Sequence, residues 1–366
     1  MDMISVASHF VDRKHIESIH PYGNGNVNDT YLVTLHGGNR HSILQRVNTF
    51  VFKRPEDVMN NMQHATRHLQ ECAQEESRAW RVQQVLPAHD GALFWQAPDE
   101  TFWRMISFIE NTESFDALYS HRQAYEVGYA LGMFHEHINR LPANAFETVL
   151  EGFHISPGYL QAFDHACRSA EREHIHDREL DFALECIARH RAHIDRLEQA
   201  KAQGILPVRI IHGDPKVNNI LFDKISARAV SIIDLDTIQP GLVHYDIGDC
   251  ARSGCNPVGE EAGVDWREAF FDVESFSHLV NGYLERAGRL MSSAECGYIY
   301  DAVFLMAFEL GLRFLTDYFN GNVYYKIHFP EQNKYRALTQ FKLAESIHQQ
   351  RDRIHSIIKE MRFFCS

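Results

Sequence analysis

Four side chains near the middle of the chain have the types and the spacing that chemistry on a phosphate group requires. Asp214 is followed by Lys216 two residues later and by Asn219 five residues later, and Asp234 comes after a further turn. Phosphoryl transfer needs a carboxylate that orients and deprotonates a hydroxyl, and oxygen ligands that hold Mg²⁺ against nucleotide phosphates. The order of these residues therefore predicts a phosphoryl-transfer site.

Each of the four residues has its own predicted role. Asp214 lies on a turn before a proline, and we expect it to act as the base and to contact the acceptor hydroxyl. Lys216 can neutralise charge on the γ-phosphate, and Asn219 and Asp234 can share a Mg²⁺ ion. The alternative interpretation is an ordinary β-hairpin whose turns carry Asp and Asn.

The elements that must position these residues form two differently built parts. Residues 1–110 are predicted to form a lobe with a five-stranded sheet and one helix, and residues 111–366 a mainly helical lobe that carries the catalytic hairpin. This predicts an α+β, protein-kinase-like two-lobed fold. The predicted strands are 16–22, 27–35, 42–47, 81–86 and 101–109 in the first lobe and 208–211, 220–222 and 230–233 in the second. The predicted helices are 55–79, 122–139, 158–203, 266–287, 294–318 and 333–362.

The composition is that of an acidic globular protein. The 366 residues are 45% apolar and 23% charged, and the net charge of −13 argues against a nucleic-acid partner, which requires a basic surface. No apolar run approaches the ~18 residues of a membrane span, so we expect no membrane partner. Seven scattered cysteines without a Cys-x-x-Cys pair predict free thiols in the cytoplasm. No obligate protein partner is indicated.

Several stretches resemble a known family. The motif His-Gly-Asp-x-x-x-x-Asn at 212–219, followed by Ile-Asp-x-Asp at 233–236, resembles the signature of the aminoglycoside phosphotransferase superfamily, which has the protein-kinase fold. Further stretches are similar to the N-acetylhexosamine 1-kinase group. They are Ile-Leu-Gln-Arg-Val-Asn at 43–48, Asp-Leu-Asp-Thr-Ile-Gln-Pro-Gly at 234–241, Asp-Ile-Gly-Asp at 246–249 and Arg-Phe-Leu-Thr-Asp-Tyr at 313–318.

The resemblance implies an enzyme that uses ATP and Mg²⁺ to phosphorylate a small molecule, with the anomeric hydroxyl of an N-acetylhexosamine, an amino sugar, as acceptor. Direct in-line transfer is expected. The alternative acceptors are an aminoglycoside, choline, homoserine and methylthioribose. A non-catalytic nucleotide-binding pseudokinase is a further alternative, and only Gln45 supports it.

A Gly/Asn-rich segment lies between the first two predicted strands, where a kinase places its phosphate-binding loop. Gly23 and Gly25 would let the backbone approach phosphate oxygens, and Asn28 and Thr30 could add donors. An ordinary hairpin bend is the alternative. Because the catalytic motif lies downstream, we interpret the segment as part of a nucleotide site.

The third predicted strand departs from the wider kinase pattern. The lysine expected to contact the α- and β-phosphates aligns with Gln45, and the cation Arg46 is its neighbour. Adjacent strand residues face opposite sides, so Arg46 could replace the lysine only through a bulge or a register shift. Either Gln45 donates a weaker hydrogen bond and Lys216 carries more of the charge, or Arg46 turns inward.

Adenine is expected where the two lobes meet, near Phe108, Ile109 and Glu110. Kinases hold the base by backbone hydrogen bonds at such a linker, which leaves almost no side-chain signature. The prediction therefore rests on position in the chain.

Acceptor contacts are predicted first in the segment that follows the catalytic motif. Thr237 comes directly after the Asp-x-Asp pair, and Arg252 could line the cleft or brace the catalytic loop. A helix start capped by Asp246 is the alternative for this segment.

The second predicted acceptor surface combines charged groups with flat aromatic faces, as sugar sites do. Its members are Arg313, Asp317, Tyr318, Tyr324 and Tyr325. The resemblance also implies acceptor contacts here. A plain helix ion pair between Arg313 and Asp317, with tyrosines in the core, is the alternative.

Overall fold

The computed structural model describes residues 2–23, 27–37, 40–169, 178–261 and 263–361. The strands are β1 Ile16–Pro21, β2 Asp29–Leu35, β3 His41–Val47, β4 Val85–Leu86, β5 Trp95–Gln96, β6 Phe102–Ser107, β7 Thr112–Glu113, β8 Arg209–Ile211, β9 Ile220–Asp223, β10 Ala229–Ile232 and β11 Gln239–Gly241. The helices are α1 Met3–Ala7, α2 Pro55–Ala73, α3 His121–Ile138, α4 Ser156–Ser169, α5 Arg178–His190, α6 Arg196–Ala202, α7 Val243–Gly254, α8 Val273–Ala287, α9 Ser293–Cys296, α10 Ile299–Phe319, α11 Gln332–Gln349 and α12 Arg351–Met361.

The first lobe is an antiparallel sheet in the order β1-β2-β3-β6-β4, with β5 also paired to β6. It therefore has six strands rather than the predicted five, because the two-residue strands β4 and β5 share one edge of β6. Helix α2 packs on the sheet through Val58, Met62, Ala65 and Leu69, which are buried as the helical period predicted. It ends at Ala73, earlier than expected.

The second lobe is mainly helical, and the α+β two-lobed fold is confirmed. Two long helices predicted from periodicity are interrupted. The predicted 158–203 helix breaks between α5 and α6, its residues 170–177 lying outside the described part of the chain, and the predicted 333–362 helix breaks between α11 and α12. Apolar residues of all these helices are buried in the same core cluster.

Two small sheets lie beside the predicted catalytic residues. Strand β9 pairs with β10 and with β7, and β8 pairs with β11. Strand β7 follows directly after the lobe boundary predicted at residues 110 and 111, and its pairing with β9 joins this part of the chain to the catalytic hairpin. No described helix is long and apolar enough to cross a membrane.

The centre of the second lobe is a close crossing of α3 and α8. Gly128 and Gly132 of α3, and Gly282 of α8, lie against the backbone of the facing helix, so a Cβ atom at any of them would overlap a carbonyl oxygen. Cysteines 72, 167, 186, 250 and 255 are free thiols, as predicted, whereas Cys296 is disulfide-bonded.

Candidate active site

The loop after β8 contains a glycine at a position where a larger residue would force the backbone to move. Gly213 has a φ of +87°, a conformation that favours glycine, and a Cβ atom there would lie 2.7 Å from the Thr237 carbonyl oxygen. The Thr237 hydroxyl donates to the His212 carbonyl oxygen at 2.8 Å. The two halves of the catalytic motif are therefore in direct contact.

A buried carboxylate fixes the backbone of this loop. Asp246, in the first turn of α7, accepts hydrogen bonds from the backbone nitrogens of His212 at 2.7 Å and Gly213 at 2.9 Å. His135 contacts the same carboxylate through Nε2 at 2.8 Å and the Tyr283 hydroxyl through Nδ1 at 2.9 Å. Burial would raise the pKa of Asp246, but these hydrogen bonds hold it below its ordinary value. Asp246 therefore positions the catalytic loop rather than capping α7.

The same loop carries Asp214, Lys216 and Asn219. The Lys216 Nζ atom lies 2.9 Å from Asp214 Oδ2, with the two side chains 29% and 31% exposed. Burial would lower the pKa of Lys216, but Asp214 and Asp234 raise it, so the amine stays charged. Asn219 donates from Nδ2 to the Asp214 carbonyl oxygen at 2.8 Å, which leaves its Oδ1 for another partner.

Asp234 returns to the same place. The Ile233 nitrogen donates to the Asn219 carbonyl oxygen at 2.9 Å, and Asp234 adopts a left-handed φ of 68°. Burial and the charges of Asp236 and Asp214 raise the pKa of Asp234 to about 7. Crowded carboxylates and a free amide oxygen are a donor set that suits Mg²⁺. Asn219 and Asp234 would hold the ion.

The predicted phosphate loop borders a cavity of about 180 Å³ whose lining includes Gly23, Asn28 and Thr30. Gly23 has a φ of +71° and open space where a Cβ atom would lie. Gly25 lies outside the described residues. Lys326 reaches the same cavity from the second lobe, with Nζ 3.1 Å from Asp29 Oδ1.

On β3, the two candidate phosphate contacts face opposite sides without a bulge. Arg46 pairs outward with the Asp29 carboxylate. Gln45 points inward, where its Oε1 accepts from Arg104 Nε at 2.9 Å and from Nη2 at 2.7 Å. Arg104 lies opposite Gln45 on β6. A cation is therefore present at this position, but it comes from the neighbouring strand.

The linker predicted to hold adenine is already partly occupied by local hydrogen bonds. The Ile109 carbonyl oxygen accepts from the Thr112 hydroxyl at 2.7 Å, and the Glu110 carbonyl oxygen accepts from Arg81 at 2.9 Å. The Glu110 carboxylate contacts His41 at 2.8 Å, and the Phe108 ring lies edge-on to that imidazole.

Both residues of the first predicted acceptor segment, Thr237 and Arg252, are bound to other groups of the protein. Thr237 is buried and bonded to the catalytic loop, as described above. Arg252 is buried and binds Asp249 Oδ1 at 2.7 Å and Glu260 at 2.8 Å. Within the described ranges, the buried Oδ2 of Asp249 has no hydrogen-bond partner. Burial and the nearby Asp214 raise the pKa of Asp249, while Arg252 acts to lower it.

Arg313, from the second predicted surface, lies in an aromatic cage. Its guanidinium is 5.3 Å from the ring centres of Phe153 and Tyr159 and 5.9 Å from that of Tyr325. The Tyr325 hydroxyl is buried and has no hydrogen-bond partner among the described residues. This part of the structure therefore presents a cation and an unsatisfied hydroxyl together. Tyr324 packs edge-on against Tyr325.

Asp317 and Tyr318 serve the surrounding structure instead of facing Arg313. The Asp317 carboxylate accepts from the backbone nitrogens of Val323, Tyr324 and Tyr325 at 2.8–3.0 Å, which shapes the turn after α10. Tyr318 is half-buried and packs beside Phe319.

A histidine connects the aromatic cage to the catalytic loop. His154 contacts the Gly213 carbonyl oxygen through Nε2 at 2.8 Å and Glu309 through Nδ1 at 3.0 Å. Glu309 lies one helical turn before Arg313. Burial would lower the pKa of His154, but the Glu309 carboxylate raises it above its ordinary value.

Sequence reasoning missed Arg104, His154, Tyr159 and Asp249. Arg104 had a detectable signal, because it is the only charged residue within the apolar run Phe-Trp-Arg-Met-Ile at 102–106. Asp249 was within a recognised stretch but received no role. His154 and Tyr159 had no local signal.

A separate cluster outside this site brings together potential metal ligands that sequence reasoning did not identify. The ligand atoms of Cys186, His190 and Glu345 lie within 4.8 Å of one another. Glu345 is already bound by His190 at 3.0 Å and by Arg189 at 2.7 Å. The hydrogen bonds in this cluster connect α5 to α11.

Comparison with known proteins agrees with the class that this fold and site define, a phosphotransferase with a kinase-like architecture. A model of the phosphotransferase enzyme family (APH) matches residues 18–280, and the chain belongs to this family.

Among solved structures, the chain is similar to an aminoglycoside phosphotransferase from Alicyclobacillus acidocaldarius, with 17% identity, coverage of 99% of this chain and 96% of that chain, and a TM-score of 0.63. It is also similar to a choline kinase from Cryptosporidium parvum, with 10% identity, coverage of 99% of this chain and 99% of that chain, and a TM-score of 0.62. A third similar structure is a spectinomycin phosphotransferase in complex with ADP and spectinomycin, with 14% identity, coverage of 95% of this chain and 98% of that chain, and a TM-score of 0.57. At these identities the likeness establishes the fold.

Proposed function

We propose that this phosphotransferase is an ATP- and Mg²⁺-dependent small-molecule kinase that acts on the anomeric hydroxyl of an N-acetylhexosamine. The observation that carries the proposal is that Asp214, Lys216, Asn219 and Asp234 lie together, next to Asp236, which accepts a hydrogen bond from the cavity-lining Asn28 of the first lobe. The ADP in the spectinomycin phosphotransferase structure supports an adenine nucleotide.

The two lobes divide the work in this proposal. Residues 1–110 hold the nucleotide, with its phosphates near Gly23, Asn28 and Thr30 and its base near the linker at 108–110. Residues 111–366 supply the catalytic loop and the acceptor pocket. We further propose a cytoplasmic location, which the free thiols of Cys72, Cys167, Cys186, Cys250 and Cys255 support.

Catalysis follows from the charges on the catalytic loop. Asp214 accepts the proton of the acceptor hydroxyl while that oxygen forms a bond to the γ-phosphorus. The bond from the γ-phosphorus to its bridging oxygen breaks, and ADP leaves. Lys216, held at 2.9 Å from Asp214, neutralises charge on the transferring group. Mg²⁺, when bound, supplies Lewis-acid stabilisation of the phosphate oxygens.

The acceptor pocket favours a neutral hydroxylated ring. Arg313 is surrounded by aromatic rings, and in the part of the chain that the structure describes the Tyr325 hydroxyl and Asp249 Oδ2 lack hydrogen-bond partners. A sugar offers hydroxyls for these groups and an apolar face for the rings. A polycationic aminoglycoside would be repelled by Arg313. Choline, homoserine and methylthioribose are the alternative acceptors that the test must include.

The experiment measures ADP release with N-acetylglucosamine, N-acetylgalactosamine, glucose, kanamycin, choline, homoserine and methylthioribose. We expect acceptor-dependent release with an N-acetylhexosamine and an acid-labile phosphate on the product, because glycosyl phosphates hydrolyse readily. Release with another acceptor alone would reject the sugar. Absence of release with every acceptor would favour the pseudokinase.

The first prediction concerns the base. Asp214→Asn should lower turnover at least about a hundredfold, because base catalysis contributes that much or more. The matched control is Asp164→Asn, which changes a partly exposed carboxylate paired with Arg191 and should keep full activity. Undiminished turnover in Asp214→Asn would reject Asp214 as the base.

A further inference from the structure

A single buried guanidinium joins three parts of the proposed nucleotide site. Arg104 is 1% exposed and lies opposite Gln45 in the regular β3–β6 pairing. Its Nε and Nη2 both donate to Gln45 Oε1, at 2.9 and 2.7 Å. Because both donors meet the same oxygen, the Gln45 amide has one orientation.

That orientation directs a chain of hydrogen bonds toward the phosphate loop. With its oxygen turned to Arg104, Gln45 donates from Nε2 to the Thr30 hydroxyl oxygen at 3.1 Å. Thr30 lines the cavity beside Gly23, and its own hydroxyl hydrogen remains for another acceptor. Donors that polarise one another in this way strengthen the last hydrogen bond of the chain.

Arg104 also reaches the second lobe. Its Nη2 lies 2.6 Å from Asp236 Oδ1, an ion contact without hydrogen-bond alignment. The other oxygen of Asp236 accepts from Asn28 Nδ2 at 2.6 Å. The guanidinium thus connects β3, the segment after Asp234 and the cavity lining.

The carboxylate partner of this cation comes from an unexpected element. In the kinase pattern, the strand lysine pairs with a glutamate of the first long helix. Here α2 contributes Met59, whose sulfur lies 3.9 Å from Arg104 Nη1, while Asp57 in its first turn pairs with Arg54. Asp236 supplies the charge instead. A buried arginine requires such a partner, since an unpaired buried charge is strongly destabilising.

We propose that Arg104 is the positioning residue that replaces the missing strand lysine, by orienting the Gln45–Thr30 donors toward the nucleotide phosphates and anchoring Asp236. The proposal rests on the proposed function, because it assumes that phosphates occupy the cavity lined by Gly23, Asn28 and Thr30. It also resolves the choice between Gln45 and Arg46: Gln45 supplies the inward-facing donor, and Arg104 supplies the charge behind it.

The test compares nucleotide binding and turnover in matched variants of the full chain. Arg104→Gln should raise KM for ATP and the Kd for ADP about tenfold or more, the scale of a lost hydrogen bond to a charged group, with the acceptor KM unchanged. Arg104→Lys keeps the charge but not the two-donor geometry, so its KM for ATP should lie between those of the wild type and Arg104→Gln. The double variant Gln45→Lys/Arg104→Gln moves the cation to β3 and should recover ATP affinity relative to Arg104→Gln.

The control for stability is Arg78→Gln. Arg78 is another largely buried arginine, whose partners are Glu126 and the Ala229 carbonyl oxygen at 3.1 Å rather than the Gln45–Thr30 donors, so its loss should lower the melting temperature without changing KM for ATP. If Arg104→Gln behaves like Arg78→Gln, and the double variant recovers nothing, Arg104 is structural only and the proposal is overturned.

Two further measurements keep the test decisive. If Arg104→Gln does not fold, Thr30→Val removes the end of the donor chain and should raise KM for ATP, and an unchanged KM would overturn the proposal. Calorimetric titration of the wild type with ADP separates this inference from the proposed function. Absence of nucleotide binding in the wild type would reject both, whereas binding that ignores Arg104 and Thr30 would reject only the present inference.

Discussion

At the scale of single residues, the site concentrates negative charge where a cation is needed. Asp214, Asp234 and Asp236 are close enough to affect one another, and the charges of Lys216 and Arg104 oppose their repulsion of Asp234. Folding without Mg²⁺ therefore keeps a carboxyl group in an unfavourable environment. The site stores binding energy for an ion at a cost in stability.

The second prediction follows from the pKa of Asp234. Burial and its acidic neighbours raise this pKa to about 7, above its ordinary value, so the stability it contributes is fully present below pH ~4 and lost as pH rises through about 7. Asp234→Asn removes that loss. Without metal or nucleotide, the melting temperature of the variant relative to wild type should rise from pH 5 to pH 8, as scanning fluorimetry can measure. A constant difference over this range would contradict the pKa shift.

The third prediction concerns His154. Both ring nitrogens face acceptors, so the imidazole donates twice only when protonated. Its pKa is raised by Glu309 despite burial, so its contribution to stability is fully present below pH ~6.5 and is lost as pH rises through the folded pKa. The wild-type melting temperature should therefore fall toward that of His154→Gln between pH 6 and 9. If the difference in melting temperature between the wild type and His154→Gln stays constant from pH 6 to 9, His154 is not charged in the folded protein.

At the scale of elements, the sequence predicted what is local. Asp214, Lys216 and Asn219 lie on one short loop, so their chemistry can be recognised from spacing alone. Arg104 meets Gln45 only through strand pairing, and His135 reaches Asp246 from 111 residues away, so no spacing rule connects them. Periodicity likewise located the helical regions but not their breaks, because broken helices can cover the same core.

The fourth prediction tests the contact between the two halves of the catalytic motif. Gly213→Ala would place a Cβ atom 2.7 Å from the Thr237 carbonyl oxygen, forcing the loop to move. Displacement by ~1 Å can cost about a hundredfold in rate, so we expect at least about a tenfold loss of kcat. Gly152→Ala is the matched control, because Gly152 has a similar positive φ of +72° but open space around it. Equal losses of activity in both variants would attribute the effect to backbone strain alone.

At the scale of the whole molecule, charged side chains connect the two lobes across the candidate site. Arg104 of the first lobe contacts Asp236 of the second, and Lys326 of the second contacts Asp29 of the first. The buried pair is shielded from salt, whereas the exposed pair is not. Salt should therefore weaken the Lys326–Asp29 contact, which joins the nucleotide loop to the acceptor segment. It should have little effect on the Arg104–Asp236 contact, which holds the catalytic segment.

The last prediction concerns the helix crossing that supports the catalytic loop from the other side. His135 of α3 contacts both Asp246 and the Tyr283 hydroxyl of α8. A change in the distance between these two helices would therefore move the partner of Asp246. Gly128→Ala would overlap the Leu279 carbonyl, and overpacking of this kind costs ~1–3 kcal/mol or more. The melting temperature should fall by at least about 2 °C. Gly158→Ala, in the first turn of α4 with open space around it, should instead stabilise by ~0.4–1 kcal/mol. If Gly128→Ala melts at or above the wild-type temperature, then α3 and α8 can separate freely, and the rigid support inferred for Asp246 does not exist.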